Sequence, residues 1–138
     1  MWYDKRNKKE RTETMGLQEI MAEDRFVVAG DTLNEEKYAF RIKHALLEHG
    51  YQVQCVGKEL SSLNDIQGEL GIIDLCIHPA KGIGLLRECR KPCRGVLIQP
   101  GAESQEIFDY LKEQGIPYLQ GCALVGLRLY PKKEKKER

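Results

Sequence analysis

Apolar residues along this chain follow two different spacings, and the change between them predicts which segments are strands and which are helices. Short continuous apolar runs are typical of strands buried in a parallel sheet. Five runs of this kind divide the sequence at fairly even intervals. They occupy residues 25–30, 51–56, 72–77, 95–99 and 116–119.

Between these runs, apolar residues recur three and four positions apart, which predicts amphipathic helices. The helical segments are 14–24, 35–49, 80–89 and 104–114. Glu35 and Glu36 favour the positive end of the second helix, and Gly50 is placed to stop it. Residues 58–71 are irregular and allow only a short turn, while 123–130 is a final apolar segment near the edge.

Strands and helices that alternate with short connections indicate a parallel sheet covered by helices on both faces. Crossovers in such sheets are right-handed, which fixes the direction of winding. The sequence therefore predicts a single α/β domain, a Rossmann-like doubly wound parallel five-stranded sheet with the strand order 2-1-3-4-5.

Charge divides the chain into a body and two ends. We expect residues 1–13 to form a disordered charged tail, 14–130 the domain, and 131–138 a second charged tail. The body alone holds 12 basic and 16 acidic residues, a poor balance for binding nucleic acid. No apolar run reaches the ~18–20 residues that a membrane span requires, and no secretory signal is visible. We therefore expect a cytoplasmic protein without nucleic-acid or membrane partners.

The five cysteines do not form a pattern typical of a metal site. Cys55, Cys76 and Cys122 lie in apolar segments that we interpret as strands, where cysteine acts as a small hydrophobic residue. Cys89 and Cys93 make one widely spaced pair without a second pair or a nearby histidine. Structural thiols are favoured over metal or redox use, and no metal ligand is predicted.

Ligands bind to open parallel sheets beyond the carboxyl ends of the strands. Four loops meet that edge here, and they supply every candidate binding residue. The candidates are Gly30, Asp31, Thr32, Leu33, Gly57, Lys58, His78, Pro79, Lys81, Gln99 and Gly101. A helix that begins after such a loop offers free N–H groups to a phosphate.

Each of these loops also has a purely structural interpretation. Gly30 permits a tight turn, but no GxGxxG or P-loop motif surrounds it. Lys81 beside glycines suits a phosphate, yet those glycines also suit close helix packing. His78 has no visible carboxylate or nucleophile partner nearby, so no catalytic residue is predicted.

Seven features in sequence order resemble the small stand-alone CoA-binding domain proteins, relatives of the CoA-binding domain of succinyl-CoA synthetase. The resemblance spans about residues 15 to 130. Its features are FVVAG at 26–30, Tyr38, LEHGYQV at 47–53, SLNDI at 62–66, IDL at 73–75, VLIQPG at 96–101 and GCALV at 121–125.

This resemblance implies a Rossmann-like domain that binds coenzyme A or an acyl-CoA and has no established chemistry of its own. It implies that the first loop, at Gly30, Asp31 and Thr32, faces the phosphates. It also implies that Gly57 and Lys58, then His78 and Pro79, meet the adenosine part. The chain departs from the family at Asp31, where a small hydroxyl residue is usual, and at 56–58, where a Val-Asn-Pro-like segment is usual.

Two other function classes remain open at this point. A sensor or enzyme that binds NAD(P) or another nucleotide would use the same scaffold, with Glu59 near the end of the second strand. An interaction protein that has lost its ligand site would keep the fold, since fold does not decide function. A homodimer or a protein partner is compatible with each class.

Overall fold

A computed structural model describes residues 15–132, and its centre is a five-stranded, all-parallel sheet. The strand order is 2-1-3-4-5, which confirms the predicted topology. The strands are β1 (Arg25–Gly30), β2 (Gln52–Gly57), β3 (Ile72–Cys76), β4 (Gly95–Ile98) and β5 (Tyr118–Gln120).

Helices cover both faces of the sheet, as expected for a doubly wound fold. The helices are α1 (Leu17–Met21), α2 (Tyr38–Glu48), α3 (Pro79–Glu88), α4 (Gln105–Gln114) and α5 (Ala123–Leu129), with a 3-10 turn at Leu63–Asp65. Helices α1, α2 and α5 bury apolar side chains such as Ile42 against one face. Helices α3 and α4 bury side chains such as Leu86 and Ile107 against the other. The two apolar layers stabilise the sheet from both sides.

Strand register places three chain segments level with one another at the carboxyl edge of the sheet. Gly30 at the end of β1 pairs with Gly57 of β2 on one side and with Cys76 of β3 on the other. Since parallel strands end at the same edge, the loops after these residues all emerge there. This edge is the predicted ligand edge.

Two predicted helices are shorter than the apolar spacing suggests. The first begins after Gly16, whose N–H donates to the Glu19 side chain, and it ends at Met21. The second begins at Tyr38 rather than at 35, because Asn34 closes a turn by accepting the Glu36 N–H across 3.0 Å. Asn34 therefore caps a turn rather than the helix. Glu35 and Glu36, predicted to lie at the start of this helix, lie before it in that turn.

Cys122 does not lie in a strand, so that interpretation of its apolar surroundings is wrong. Strand β5 ends at Gln120, and Cys122 is the residue that precedes α5. The apolar segment after it forms a helix because it packs against α1 and α2. Gly126 lies so close to Met21 that a Cβ built on it would stand 2.6 Å from the Met21 sulfur. Cys55 and Cys76 do lie in β2 and β3, as predicted.

Most of the predicted tails, residues 1–13 and 133–138, lies outside the described residues. Lys132, which the charge pattern assigns to the second tail, contacts the folded body. Its ammonium group forms an ion pair with Asp24 and lies 4.7 Å from the centre of the Tyr51 ring.

Gly30 is tightly enclosed at the carboxyl edge. A Cβ built on Gly30 would stand 2.5 Å from the Cys76 carbonyl oxygen and 2.9 Å from the Ala39 Cβ. The Cys76 carbonyl belongs to the backbone of the adjacent strand β3, so it cannot move away from an added Cβ without disturbing the sheet. Glycine is therefore required here by space.

We expect Gly30→Ala to lower the free energy of unfolding by about 2–3 kcal/mol through overpacking. Gly84→Ala is the matched control, because Gly84 lies inside α3 and a Cβ added there would have no neighbour within 4 Å. That substitution should raise stability by up to ~1 kcal/mol through helix propensity. Urea unfolding of both variants measures the difference. Equal stability of the two variants would contradict the packing described for β1.

Candidate functional site

Two adjoining clefts open at the carboxyl edge of the sheet. The α2 cleft has a volume of about 460 Å³ and lies between the start of α2 and the loop after β4. The α3 cleft has a volume of about 430 Å³ and lies between the loop after β2 and α3. Asp31, Ile77 and Lys81 line both clefts, so the two share a wall.

Each cleft takes its lining from several loops. The α2 cleft is lined, besides the shared residues, by Lys37, Tyr38, Ala39, Cys76, His78, Gln99, Pro100, Gly101 and Ala102. The α3 cleft is lined by Gly30, Gly57, Lys58, Ser61, Gly84, Leu85 and Glu88. Together their linings draw on residues at the ends of β2, β1, β3 and β4.

Eight of the eleven predicted binding residues line these clefts. The other three are Thr32, Leu33 and Pro79. Thr32 is buried, Leu33 is 63% exposed outside both clefts, and Pro79 is the first residue of α3. The structure thus brings together residues from all four predicted loops.

The Thr32 hydroxyl links the loop after β1 to the loop after β2 through a hydrogen bond. It donates to Oε2 of Glu59 across 2.6 Å, and Nζ of Lys43 donates to the same oxygen across 2.7 Å. These two hydrogen bonds, that from Lys43 first, lower the pKa of the Glu59 carboxyl. The bond between Lys43 and Glu59 also raises the pKa of Lys43. The cluster ties the loop after β1 to the loop after β2.

The helices that begin at this edge differ in how their first N–H groups are satisfied. His78 caps α3, since its Nδ1 accepts the Ala80 N–H across 3.1 Å. Ser104 caps α4 by accepting the Ile107 N–H, also across 3.1 Å. At α2, Lys37 stands in the cap position and its side chain makes no capping hydrogen bond. In the first turn of α2, the Phe40 N–H donates to the Lys37 carbonyl oxygen across 3.1 Å. The uncapped N-terminus of α2 presents the positive end of the helix dipole to the α2 cleft, which Lys37, Tyr38 and Ala39 line.

Gln99 connects the α2 cleft to α5, which packs on the same face of the sheet as α2. Its Oε1 accepts the Ala123 N–H across 3.0 Å and so caps the start of α5. The side chain is buried, yet it forms part of the cleft wall. With its oxygen engaged, Gln99 has its amide N–H groups left as hydrogen-bond donors.

Asp31 places a negative charge where the two clefts meet. Its Oδ1 accepts the Leu33 N–H across 3.3 Å, which shapes the loop after β1. An anionic ligand at the shared wall meets this carboxylate as well as the Lys81 ammonium group. The two charges oppose each other in their effect on a phosphate.

Lys37 and Tyr38 are site residues that the sequence interpretation misses. The apolar spacing predicts a helix from 35, which places both residues inside the helix instead of at its N-terminus. The Tyr38 ring is 61% exposed, and the Arg41 guanidinium lies 5.5 Å from its centre. The Asn34 side chain is the available signal, because asparagine favours a turn before a helix.

Behind the α2 cleft, β3 carries an ionisable group inside the apolar core. Asp74 is fully buried, and its Oδ1 accepts a hydrogen bond from the Cys76 thiol across 3.6 Å. Within residues 15–132, its Oδ2 has no hydrogen-bond partner. Burial raises the pKa of Asp74 to about 7. The Cys76 pKa is also raised, first by burial and then by the charge of Asp74.

The raised pKa makes folding stability depend on pH. The unfolded chain loses the Asp74 proton near the ordinary aspartate pKa of 3.8, while the folded protein keeps it up to about 7. Stability from this group therefore falls as pH rises between these values, on the order of 4 kcal/mol in total. Asp74→Asn should abolish that fall.

Unfolding by urea at several pH values between about 4 and about 8 measures this effect. Asp109→Asn is the control, since Asp109 is an exposed aspartate on α4. It should keep the pH dependence of the parent. The same pH dependence in the parent and in Asp74→Asn would show that Asp74 is not the group responsible.

Two other features, a metal site and a membrane-spanning helix, are absent among residues 15–132. No group of three or more His, Cys, Asp or Glu side chains in this part of the chain could hold a metal ion. No helix among these residues is both long enough and apolar enough to cross a membrane.

Comparison with known protein families finds one family that matches most of the length of the chain. The profile of the family described as "CoA binding domain" matches residues 24–128, which include all five strands and the four loops of the carboxyl edge. The chain belongs to this CoA-binding domain family. The resemblance drawn from the sequence motifs is thereby confirmed.

Solved structures similar to this CoA-binding domain confirm its fold. A hypothetical protein from Pyrococcus horikoshii OT3 has a TM-score of 0.73 and 18% identity, covering 85% of this chain and 93% of its own. A protein from Thermus thermophilus has a TM-score of 0.69 and 21% identity, covering 83% and 98%. A conserved hypothetical protein from Pyrococcus furiosus has a TM-score of 0.63 and 24% identity, covering 73% and 97%. No curated protein matches the chain.

Proposed function

We propose that this domain binds coenzyme A or an acyl-CoA along its carboxyl edge and does so without catalysing a reaction. The observation that carries the proposal is the pair of clefts that share a wall at Asp31 and Lys81. Coenzyme A is an elongated ligand, with a nucleotide at one end and a pantetheine arm at the other. Two joined clefts suit such a molecule better than one compact pocket does.

The positive groups of the site come from three separate segments: the start of α2, the loop after β2 and the first turn of α3. Lys58 lines the α3 cleft, Lys37 lines the α2 cleft, and Lys81 lines both. In our proposal the diphosphate lies near Lys81 and the uncapped start of α2, where backbone N–H groups add to the attraction. The adenosine part then lies toward Gly57 and Lys58, two of the four residues at which the family resemblance implies it. The other two, His78 and Pro79, lie at the start of α3, and His78 lines the α2 cleft instead.

The NAD(P) alternative is less well supported by the same geometry. Dinucleotide-binding folds use an acidic residue near the end of the second strand to hold a ribose. Glu59 is the residue at that place here, and it lines neither cleft. One of its carboxylate oxygens is already held by Thr32 and Lys43.

The remaining expectations are part of the proposal. We propose a cytoplasmic protein whose main partner is a small molecule, with a homodimer or protein partner still to be tested. The interaction-protein class rests on Asp31, which opposes an anionic ligand, and on the exposed apolar Leu33 beside the site. Ligand binding is therefore the property that separates the classes.

A thermal-shift panel tests the proposal directly. The panel contains coenzyme A, acetyl-CoA, NAD, NADP, FMN and ATP. A ligand present at about one hundred times its Kd stabilises the folded state by ~2.7 kcal/mol, which gives a clear rise in Tm. We expect that rise with coenzyme A or acetyl-CoA and a smaller one with the others. No rise with any ligand would favour the interaction-protein class.

Charge variants then locate the phosphates. Lys58→Ala and Lys81→Ala should each weaken coenzyme A binding, and more at low salt than at high salt, because salt screens the lost attraction. Asp31→Ser should tighten binding, since one unfavourable charge pair costs roughly 1–3 kcal/mol at ~5 Å. Lys112→Ala is the control, because Lys112 is an exposed lysine on α4 outside both clefts.

Isothermal titration calorimetry of these four variants measures the changes in Kd. Parent-like binding by Lys58→Ala, Lys81→Ala and Asp31→Ser together would place the phosphates away from the shared wall. An equal loss in Lys112→Ala would show that the effect is one of net charge rather than of the site.

A further inference from the structure

Cys76 lines the α2 cleft, and its thiol contacts a buried carboxyl group, that of Asp74. Cys76 ends β3 and is partly exposed, while Asp74 is fully buried two residues earlier on the same face of the sheet. The thiol donates to Oδ1 of Asp74 across 3.6 Å. Oδ2 of Asp74 has no hydrogen-bond partner in the described part of the chain. A molecule in the cleft therefore contacts the residue whose thiol has a carboxyl group within hydrogen-bond distance.

The ionisable groups around this pair are mostly thiols. Asp74, Cys122 and Cys55 act electrostatically on the Cys76 thiol, and Cys76 in turn acts on Asp74. Lys43 and Glu59 act on Cys55 from the outer side of β2.

Burial on its own makes a thiol a poor nucleophile, because the thiolate is the reactive form and an apolar environment disfavours it. The Asp74 carboxylate changes this balance. A proton that passes from Cys76 to an ionised Asp74 moves one negative charge over a short distance and adds no second charge to the core. The apolar environment therefore opposes that transfer much less than it opposes ionisation to water.

We propose that Cys76 is a site of reversible thiolation, at which a small disulfide entering the α2 cleft exchanges with the protein thiol. As the Asp74 carboxylate accepts the thiol proton, the Cys76 sulfur attacks one sulfur of the disulfide. The old S–S bond breaks as the new one forms, Asp74 keeps the thiol proton, and the leaving thiolate takes a proton from water as it departs through the cleft. One disulfide replaces another, so no further oxidant is consumed. The step is stoichiometric and does not require coenzyme A to bind.

The other described cysteines lack this combination of access and a carboxylate partner. Cys55 is 3% exposed, and burial raises its pKa to about 11. Cys89 donates to the Lys91 carbonyl oxygen, which cannot accept a proton outright. Burial raises the pKa of Cys93 to about 11. Cys122 is partly exposed near Cys76 and serves as the matched control.

The test treats the full chain with cystamine, a disulfide small enough for a cleft of about 460 Å³. Intact mass spectrometry follows the adduct, peptide mapping locates it, and dithiothreitol should remove it. We expect the first adduct on Cys76. Cys76→Ser should abolish this fast adduct, and Cys122→Ser should retain it at the parent rate.

The role of Asp74 is tested by measuring the rate of adduct formation on Cys76 and the dependence of that rate on pH. Asp74→Asn should slow the reaction at neutral pH by roughly 100-fold, the size of a typical general-base contribution. The parent rate should rise with a midpoint near the Asp74 pKa of about 7, and the variant should lack that rise. Thermal melting confirms that the variant is folded, and the pH profile of the parent stands as a test by itself.

Three results would overturn the proposal. The first is a faster adduct at another cysteine than at Cys76. The second is a folded Asp74→Asn variant that reacts at the parent rate. The third is a parent rate that rises in proportion to hydroxide with no inflection near neutral pH.

Discussion

The close approach of Gly30 to the Cys76 carbonyl and the Ala39 methyl group fixes how β1, β3 and α2 meet at the carboxyl edge. It brings the end of β1 against β3 and allows the start of α2 to settle directly over the sheet. The loops after β1 and β3 must then separate on either side of this contact. The space they leave is the pair of clefts with its shared wall at Asp31 and Lys81. A side chain at position 30 would collide with the Cys76 carbonyl and the Ala39 methyl group and would push β3 and α2 away from β1.

The polar groups of the site divide into those that build it and those that are left for a ligand. Thr32, His78 and Gln99 all make hydrogen bonds within the protein, to Glu59, the start of α3 and the start of α5. The groups left are the lysines that line the clefts, the amide N–H groups of Gln99, and the uncapped start of α2. In the proposed function, binding of an anion depends on charge and backbone dipoles, and the Asp31 carboxylate works against it. This balance distinguishes the site from one that holds phosphate with a small hydroxyl residue.

The topology was predictable from the sequence because buried parallel strands and amphipathic helices have different apolar spacings. The edge was predictable for the same reason, since the carboxyl ends of the strands follow from strand order. The start of α2 was not, because the apolar spacing around Tyr38 continues backwards into a turn that Asn34 closes. Cys122 was misplaced because an apolar run near a sheet edge suits a strand and a short buried helix equally well. The engagement of Thr32 with Glu59 is a contact across 27 residues that no local pattern indicates.

We propose that a coenzyme A molecule lies across the carboxyl edge of the sheet. A coenzyme A titration of ¹⁵N-labelled protein, followed by the NMR shifts of its amides, tests this most directly. The amides of Asp31, Lys58, Lys81 and Gly101 should shift together and saturate with one Kd, because they surround the two clefts. Amides around Cys89 and Cys93 line a separate cavity of about 280 Å³ and should stay unchanged. Shifts confined to that second cavity, or none at millimolar coenzyme A, would contradict the account.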